Sequence, residues 1–332
     1  MFELSKEYKS LPTDEIISCL KSENIKFDII ESNDDILLLK ILTNSKILKT
    51  IPDRLSLTHC VNKLLFVCSN SLSEIKENAK KTILKEKGTI SVRVRNRSNN
   101  TESQKIVKVL AEIYTKNRTV NLDNPDQEIR CLITDDKVYV GLKIASINRN
   151  QFEKRKVQFR PFFSPISLHP KLARALINLS AINKNQILLD PFCGTGGILL
   201  EAGLMGIKVI GSDIEDKMIE GCKKTLDFYK IKNYKLYCSD IGDIRKHIRS
   251  VDAIVTDMPY GKSTTTKGEK MEELYKRAFQ SMSKILKKGG KSVVGISNKN
   301  FISLGEKCFS VIKKYEFKVH RSLIRYFIIY EK

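Results

Sequence analysis

The sequence lacks any apolar run that approaches the roughly 18 to 20 residues needed to cross a bilayer. Its first residues, MFELSKEYKSLPTDE, include early acidic side chains and no apolar segment of the kind that secretory signals carry. The sequence therefore predicts a protein that has no membrane partner, and we expect it in the cytoplasm.

Paired cysteine motifs are missing as well. None of the eight cysteines forms a C-x-x-C pair, so the sequence indicates neither a zinc site nor a thioredoxin-like redox motif. We expect no bound metal, and we expect free thiols that are mostly small buried side chains.

Basic residues, in contrast, are abundant. Lys and Arg number 59 against 38 Asp and Glu, which gives a formal net charge of +21. The net charge is −2 in residues 1–50, +7 in residues 51–150 and +16 in residues 151–332. This excess favours a polyanionic partner, nucleic acid before a membrane surface. A compositional bias toward Lys, Ile and Asn would explain part of it, but such a bias would spread more evenly.

The N-terminal third mixes short predicted strands and helices. Residues 14–25 and 71–88 have the apolar spacing of amphipathic helices, and Gly88 is the expected C-cap of the second. KFDIIES and DILLLKIL flank Asn33-Asp34, which is typical of a hairpin. We therefore expect an α+β region before the rest of the chain.

One predicted strand, TISVRVRNRS, alternates valine with arginine. Because alternate residues of a strand share a face, Val92 and Val94 should enter the core while the arginines line the opposite face. That face is either a solvated surface or a phosphate-binding one. A basic, irregular stretch, residues 148–165, follows later and is predicted to be a linker. The candidate RNA-binding residues are Arg93, Arg95, Arg97, Lys154, Arg155 and Lys156.

After residue 185, apolar strands alternate with helical patterns. QILLD, IKVIGSD, YKLYCSD, DAIVTD and KSVVGIS are short and β-rich, which is typical of βαβ units in a parallel sheet. A helix with Pro170 in its first turn precedes them. YEFKVHRS and LIRYFIIYE follow with no room for a helix between them, so one of the two must run antiparallel. The sequence predicts a Rossmann-like α/β domain.

Four successive predicted strands end in an aspartate: Asp190, Asp213, Asp240 and Asp257. Ligands of doubly wound sheets bind beyond the carboxyl ends of the strands, so these side chains should meet at one site. Aspartate is common at such positions as a helix N-cap. An aspartate at the end of all four strands, beside a glycine-rich turn, is less easily explained by helix capping alone.

The glycine-rich turn, residues 191–197, can bring backbone N–H groups close to a ligand. Asp213 follows at a spacing that suits the ribose hydroxyls of a nucleoside cofactor. A dinucleotide fingerprint starting at Gly194 is broken by Leu199, and no G-K-[ST] phosphate loop occurs. A carboxylate at Asp190 would repel pyrophosphate and suit a cofactor with a cationic amino acid group, such as S-adenosylmethionine.

These motifs resemble those of a known family. DPFCGTGG (190–197) resembles the first motif of class I methyltransferases that act on exocyclic amines, and DMPY (257–260) resembles their [D/N]-P-P-[Y/F/W] motif. Together with residues 160–180 and 200–214, they are similar to archaeal tRNA guanosine-10 N2-methyltransferases. The sequence departs from that family at Met258, where proline is usual. We expect proline to be tolerated there and to restore a stiffer turn.

The resemblance implies a domain order and a reaction. A ferredoxin-like segment (1–50) and a THUMP-like RNA-binding domain (51–147) would precede the linker and a class I methyltransferase domain (166–332), whose mostly parallel sheet of seven strands has an antiparallel last pair. The chain would methylate the N2 amine of a tRNA guanosine, as a monomer with S-adenosylmethionine as cofactor. One or two methyl groups, at position 10, are the expected modification.

The resemblance also implies residue roles. Asp257 would accept a hydrogen bond from the target amine, the carbonyl near Pro259 would accept a second, and Tyr260 would stack on the base. Asp213 would bind the ribose. Asp240, with Ile241, would meet the adenine. The full implied cofactor site is Asp190, Pro191, Cys193, Gly194, Thr195, Gly196, Gly197, Asp213, Ile214, Asp240, Ile241 and Asp257.

Several alternatives stay open at this point. The DPPY-like motif also serves adenine N6 methylation in DNA and guanine N2 methylation elsewhere in tRNA or ribosomal RNA. A non-catalytic RNA-binding protein with a methyltransferase fold is a further hypothesis, for which Met258 is the only indication. A nicotinamide-dependent oxidoreductase is disfavoured by Leu199 and by the charge.

Overall fold

A computed structural model describes residues 1–41, 50–82, 84, 87–99, 102–164, 167–259, 269–320 and 323–332. The chain divides into two compact units. Residues 1–13, 26–53 and 57–148 form the first unit, and residues 14–25, 54–56 and 149–332 form the second. Within the described ranges, no helix has both the length and the apolar character that a membrane crossing requires.

Strands and helices alternate along most of the chain. The strands are β1 (Phe2–Leu4), β2 (Phe27–Ser32), β3 (Ile36–Ile41), β4 (Thr58–Ser69), β5 (Ile90–Asn96), β6 (Gln127–Ile133), β7 (Lys137–Ser146), β8 (Ile187–Asp190), β9 (Lys208–Asp213), β10 (Tyr234–Cys238), β11 (Val251–Asp257), β12 (Leu286–Ile296), β13 (Ser310–His320) and β14 (Leu323–Glu331). The helices are α1 (Leu11–Ser22), α2 (Ile51–Arg54), α3 (Leu72–Lys81), α4 (Ser103–Tyr114), α5 (Asn150–Glu153), α6 (Pro170–Leu179), α7 (Gly197–Leu204), α8 (Asp216–Phe228), α9 (Met271–Ile285) and α10 (Ile302–Glu306).

The first unit contains one mixed sheet, whose described strands follow the order β2-β3-β1-β4-β7-β6-β5. The predicted hairpin at Asn33-Asp34 is confirmed, because β2 and β3 pair in antiparallel register. Strands from both sides of residue 50 belong to this sheet, since β1 pairs with both β3 and β4. Helices α3 and α4 cover one face of the sheet through a core that includes Ile75 and Leu110.

The predicted end of α3 is wrong. The helix ends at Lys81, because the backbone becomes extended at Thr82. Gly88 lies beyond the helix with φ of +118°, a conformation that favours glycine, and a Cβ there would lie 2.7 Å from a carboxylate oxygen of Asp126. Gly88 therefore serves a turn rather than a helix cap.

The predicted linker is also corrected. Residues 149–164 belong to the second unit, where Phe152 is fully buried and Arg155 is 8% exposed. The Arg155 guanidinium donates to both carboxylate oxygens of Glu201 at 2.7 and 3.0 Å, and Arg174 also donates to Glu201. The basic composition of this stretch suggested a solvated linker. The carboxylate that pairs with Arg155 lies 46 residues further along the chain, so the local sequence does not reveal it.

The second unit has the predicted Rossmann-like sheet. Its described strands follow the order β10-β9-β8-β11-β12-β14-β13. Strands β8 to β12 are parallel, while β14 is antiparallel to both β12 and β13, so the antiparallel last pair is confirmed. β9 and β10 lie on one side of β8, and β11 and β12 lie on the other, which puts the topological switch point between β8 and β11.

The core of the second unit fixes the end of β11. Ile254 and Met258 are buried with aromatic side chains of α9, including Tyr275 and Phe279. Helices cover both faces of a parallel sheet, so its inner strands are apolar along most of their length. Asp257 thus ends a rigid, buried strand, and its side chain has little freedom to move.

Candidate active site

The carboxyl ends of β8, β9, β10 and β11 surround one cavity of about 210 Å³. All four strand-end aspartates line it, as the sequence predicts. So do Pro191, Cys193, Gly194, Thr195, Gly197, Ile214, Ile241 and Pro259, while Gly196 does not. The structure therefore brings together nearly every residue that the sequence assigns to a cofactor site.

The glycine-rich turn is held by its own sheet. Gly194 has φ of +48° and Gly196 has φ of +79°, both in the left-handed region. The Cys193 N–H donates to the carbonyl of Ser212 on β9 at 2.9 Å. Cys193 is buried in this turn, which agrees with the expectation that the cysteines are mostly small buried side chains.

Asp213 joins the glycine-rich turn to the start of the next helix. One carboxylate oxygen accepts from the Gly194 N–H at 2.9 Å and the other from the Glu215 N–H at 3.0 Å. Burial raises the pKa of the Asp213 carboxyl, although these backbone donors oppose the effect. Each oxygen has a second lone pair, so Asp213 can still accept from ribose hydroxyls.

Asp190 is the most enclosed of the four aspartates, at 2% exposure. Its Oδ1 accepts from the Thr256 hydroxyl at 2.7 Å and from the Phe192 N–H at 3.2 Å. Burial raises the pKa of Asp190 to about 7, even though these hydrogen bonds lower it. A bound cation would favour the ionised form of this carboxyl.

Asp240 is held by an arginine that the sequence analysis did not identify. Arg277 of α9 donates to both of its carboxylate oxygens, at 2.6 and 3.2 Å, and also to Glu269 at 2.7 and 2.9 Å. The Gly242 N–H adds a bond of 2.7 Å. The Arg277 guanidinium lowers the pKa of Asp240, so this carboxylate stays ionised as an acceptor.

Asp257 has a buried cationic neighbour. Arg325 of β14 places Nη2 3.1 Å from Asp257 Oδ2, and the two side chains are 11% and 15% exposed. Burial raises the pKa of Asp257 to about 6, and Arg325 opposes that rise. A carboxyl with a pKa near the working pH is suited to accept a proton.

The residues after Asp257 are fixed by two hydrogen bonds. The Met258 N–H donates to the Gly295 carbonyl of β12 at 3.0 Å, and the Met258 side chain is fully buried. The Tyr275 hydroxyl donates to the Pro259 carbonyl at 3.0 Å. A proline at 258 has no N–H, so the structure argues against the expectation that proline is tolerated there. Tyr260 lies outside the described residues, and its stacking role stays a prediction.

The arginine face of β5 is not free. Val92 and Val94 pack toward the core, as the sequence predicts. On the other face, Arg95 pairs with Glu3 at 2.9 Å and Arg93 with Glu128 at 3.5 Å. Both arginines keep solvent access, with side chains 47% exposed at Arg93 and 38% at Arg95.

Two predicted RNA contacts are contradicted by burial. Arg97 has a side chain 9% exposed and pairs with Asp35 at 2.6 Å, so it cannot present its guanidinium to a phosphate. Arg155 is enclosed against Glu201. Lys156 is half-buried and pairs with Glu153, whereas Lys154 is exposed. The carboxylates that pair with Arg97 and Arg155 lie 62 and 46 residues away in the sequence, and no strand pattern reveals such a pairing.

The face opposite the helices of the first unit nevertheless keeps an excess of positive charge. Its ion-pair network joins six cations to three carboxylates among the described residues. The cations are Lys6, Arg93, Arg95, Arg97, Arg130 and Lys143, and the carboxylates are Glu3, Asp35 and Glu128.

Within the residues that the structure describes, no cluster of three or more side chains suited to a metal ion is found.

Comparisons with known proteins agree with this arrangement. A family described as "RMKL-like, methyltransferase domain" matches residues 157–326, and one described as "DNA methylase" matches residues 73–224. A tRNA (guanine(10)-N2)-dimethyltransferase of Methanothermobacter thermautotrophicus is 35% identical over 340 residues, covering 100% of this chain and 99% of the relative. A protein of the same name from Pyrococcus abyssi is 40% identical over 222 residues, covering 66% of each chain. The crystal structure of TrmN from Thermus thermophilus matches 100% of this chain and 99% of its own with a TM-score of 0.59 at 16% identity, which shows a shared fold.

Proposed function

We propose that this chain, which belongs to the tRNA (guanine(10)-N2)-dimethyltransferase family through an RMKL-like methyltransferase domain, transfers methyl groups from S-adenosylmethionine to the exocyclic N2 amine of a guanosine in tRNA. Guanosine 10 is the target named in the relatives. One observation carries the proposal for the site itself: Asp257 ends a rigid strand at the switch point, in the same cavity as the glycine-rich turn.

The cavity suits a cofactor that carries positive charge. Six carboxylates line it among the described residues, in a chain whose net charge is +21, and only some are paired with arginine. These are Asp190, Asp213, Glu215, Asp240, Asp257 and Glu269. When bound, S-adenosylmethionine supplies an electrophilic methyl group on a positively charged sulfur. Asp190 would face its ammonium group, Asp213 its ribose and Asp240 its adenine.

Asp257 would do the chemical work on the substrate side. The guanine N2 amine is a weak nucleophile and must lose one proton on methylation. Asp257 accepts a hydrogen bond from that amine, localises its lone pair and receives the proton. Its ion pair with Arg325 keeps the carboxylate in the ionised form that this role needs. Positioning of the amine supplies most of the rate increase.

The Pro259 carbonyl is a second acceptor for the amine. The Tyr275 hydroxyl already donates to it and so fixes its direction, and a carbonyl oxygen has a further lone pair. A guanosine inside folded tRNA must leave its stack to reach this cavity. Tyr260, the next residue, would then stack on the extruded base.

The first unit would bind the body of the tRNA. Its net-positive network keeps Arg93 and Arg95 partly exposed, and Lys154 of the second unit is exposed as well. We retain a THUMP-like RNA-binding role for residues 51–147, with residues 1–50 as a ferredoxin-like segment. A monomer acting in the cytoplasm completes the proposal.

Methylation of adenine in DNA is the rival that the comparisons raise. The DNA methylase match ends at residue 224, before Asp257, so it carries nothing about the motif that receives the target base. The tRNA relative, in contrast, matches the whole chain. The observations therefore favour RNA as the substrate.

A pair of tRNA transcripts that differ only in the 2-amino group of nucleotide 10 tests the proposal. The purified protein is incubated with S-adenosylmethionine and a tRNA transcript carrying guanosine at position 10, or the same transcript with inosine there, which lacks the 2-amino group. Nucleosides are then analysed by mass spectrometry. We expect N2-methylated or N2,N2-dimethylated guanosine from the first transcript and none from the second.

Two further samples complete the test. Asp257→Ala protein should give far less product than the parent with the guanosine transcript, and a DNA duplex should yield no N6-methyladenine with the parent protein. Equal methylation of both transcripts would contradict position 10 as the target. Methylation of the duplex alone would overturn the assignment of tRNA as the substrate.

A further inference from the structure

Two phenylalanines of the second unit are exposed to solvent within five residues of each other. Phe159 is 59% exposed and Phe163 is 61% exposed. Single exposed apolar side chains are normal on protein surfaces, whereas clustered apolar surface marks an interaction site. Neither ring lines the cofactor cavity. The role proposed for that cavity therefore gives no reason for either side chain.

The backbone that carries Phe163 is held by its neighbours. Arg160 is 6% exposed, and its guanidinium donates to the Ser167 hydroxyl at 3.2 Å. Phe162 packs on helix α8, where a Cβ at Gly221 would lie 2.3 Å from the Phe162 ring. These two side chains anchor the segment, so Phe163 projects into solvent from a backbone with little freedom to move. A ring placed in this way loses little conformational entropy when a partner binds.

Phe163 also lies close to the cavity. The next residue, Ser164, lines the cavity, and consecutive Cα atoms are about 3.8 Å apart. Helix α8, on which Phe162 packs, begins at the same cavity, because Glu215 and Met218 near its N-terminal end also line it. A nucleotide that enters the cavity therefore brings its neighbours in the strand close to the Phe163 ring.

Exposed cations flank the same segment. Lys217 and Lys224 are four residues before and three residues after Gly221, so they lie on the face of α8 against which Phe162 packs. Both are exposed, as is Lys154. Aromatic rings combined with cations fit single-stranded nucleic acid, whose bases stack on the rings and whose phosphates pair with the cations. An apolar protein partner would cover the rings and leave the cations unused, so the surface favours RNA.

We propose that Phe163 is a stacking platform for a base next to the target guanosine, while Lys217 and Lys224 contact phosphates of the same strand. This proposal rests on the proposed function, in which the guanosine leaves its stack to enter the cavity. Extrusion breaks the stacking between that guanosine and the bases on either side. The Phe163 ring would replace one of those lost contacts and so lower the free-energy cost of extrusion. The substrate is then an RNA whose target guanosine has an adjacent base that can unstack with it.

Three tRNA transcripts test the platform. One is intact, one lacks the base at position 9, and one lacks the base at position 11. Their affinities for the full-length protein are measured by fluorescence anisotropy. We expect Phe163→Ala to weaken binding of the intact transcript by about 5-fold to 100-fold, the scale of one stacked base. For the transcript that lacks the stacked base, the same substitution should change the affinity by less than about twofold.

Two further variants separate stacking from a structural role. Phe163→Trp keeps a flat aromatic ring and should bind the intact transcript with nearly the parental affinity. Ile312→Ala removes another exposed apolar side chain of the same unit, from β13 at the opposite edge of the sheet from β10. It should bind all three transcripts as the parent does. Because Phe163 is exposed, Phe163→Ala should also melt close to the parent.

The outcomes distinguish the platform from the function on which it rests. Equal losses for all three transcripts in Phe163→Ala would overturn the platform, because no neighbouring base would be involved. Parental affinity in Phe163→Ala would also overturn it and leave this surface to a protein partner. In both cases, N2-methylated guanosine in the intact transcript treated with the parent protein would show that the proposed function still holds. A parent that binds tRNA and forms no such product would overturn the function, and the platform with it.

Discussion

Nη2 of Arg325 lies 3.1 Å from Oδ2 of Asp257, and neither side chain is more than 15% exposed. The arginine comes from β14, which runs antiparallel to both of its neighbours β12 and β13, and the aspartate ends β11. β12 separates these two strands in the sheet. The antiparallel end of the sheet thus contributes a cation to the proposed catalytic carboxylate.

Removal of that cation should shift the pH dependence of methyl transfer. Burial raises the pKa of Asp257 to about 6 and Arg325 opposes the rise, so Arg325→Met should raise this pKa further. Only the ionised carboxylate accepts the proton, so the rate is retained above the pKa and lost below it. As the pH is lowered, the single-turnover rate should begin to fall near pH 6 in the parent and at a higher pH in the variant.

Arg325→Lys serves as the control, because it keeps a positive charge near Asp257. It should therefore shift the pH at which the rate falls by less than Arg325→Met does. A variant whose rate falls by the same factor at every pH would assign Arg325 a purely structural role.

Loss of the Asp257 carboxylate should act on chemistry and leave cofactor binding nearly unchanged. Asp257→Ala should reduce single-turnover methyl transfer by at least about 100-fold, the usual scale for a positioned proton acceptor. S-adenosylhomocysteine affinity should change little, because the cofactor would be held mainly at the ends of β8, β9 and β10. Rapid-quench methylation with saturating tRNA and calorimetry separate the two effects. A near-parental rate would reduce Asp257 to a turn residue.

Asp213 should affect the cofactor instead. Asp213→Ala removes the proposed ribose acceptor and also the acceptor for the Gly194 and Glu215 N–H groups. We expect cofactor affinity to fall by more than about tenfold, as for the loss of charge-assisted hydrogen bonds. Calorimetry on the parent and on Asp213→Asn, which keeps one oxygen acceptor, gives the comparison. Unchanged affinity in Asp213→Ala would remove this residue from the site.

Proline at position 258 should destabilise the protein. Met258→Pro removes the N–H that donates to the Gly295 carbonyl and replaces a fully buried methionine side chain. The lost bond alone corresponds to about 1 kcal/mol. The melting temperature should fall relative to the parent, whereas Met258→Leu, which keeps the N–H and much of the volume, should melt close to it. A Met258→Pro protein as stable as the parent would show that the local backbone re-pairs.

The proposed tRNA-binding face can be tested through salt dependence. Arg93→Gln together with Arg95→Gln removes two partly exposed cations from the net-positive network. We expect weaker tRNA binding and a salt slope flatter by about 1 to 2 units, as for one or two lost phosphate contacts. Lys76→Gln with Lys80→Gln, on the helical side of the same unit, is the matched control. Identical slopes in the two double variants would mean that the arginine face is only solvated.

Residues near one another in sequence carry most of what could be predicted. Short apolar strands that end in aspartate predicted the Rossmann-like sheet and the carboxylates around the cavity, since each rule is local to one strand and its turn. The position where α3 ends was not predictable in this way, because the helical sequence pattern continues past Lys81, whereas the backbone is already extended at Thr82.

Pairing between distant side chains is what the sequence could not supply. Arg277 and Arg325 both contact aspartates of the site, yet nothing near either arginine in the sequence indicates the carboxylate that it contacts. One signal was available: Arg325 is the only cation in the apolar strand β14. At Arg97 and Arg155 the sequence predicted contacts that do not fit the structure. The basic pattern suggested exposed side chains that contact phosphates, whereas both arginines are buried in ion pairs with carboxylates distant in the sequence.

Residues 14–25 belong to the second unit although they are made almost first. Glu15 accepts from the Asn178 amide at 2.9 Å, and Asp14 accepts from Lys313 at 2.6 Å and from the Tyr315 hydroxyl at 2.8 Å. At the usual pace of protein synthesis, about 5 to 20 residues per second, some 15 to 60 seconds separate Asp14 from Lys313 on the ribosome. During that interval Asp14 lacks the side chains that it contacts in the folded protein. The methyltransferase unit therefore cannot finish folding until synthesis of the chain is nearly complete.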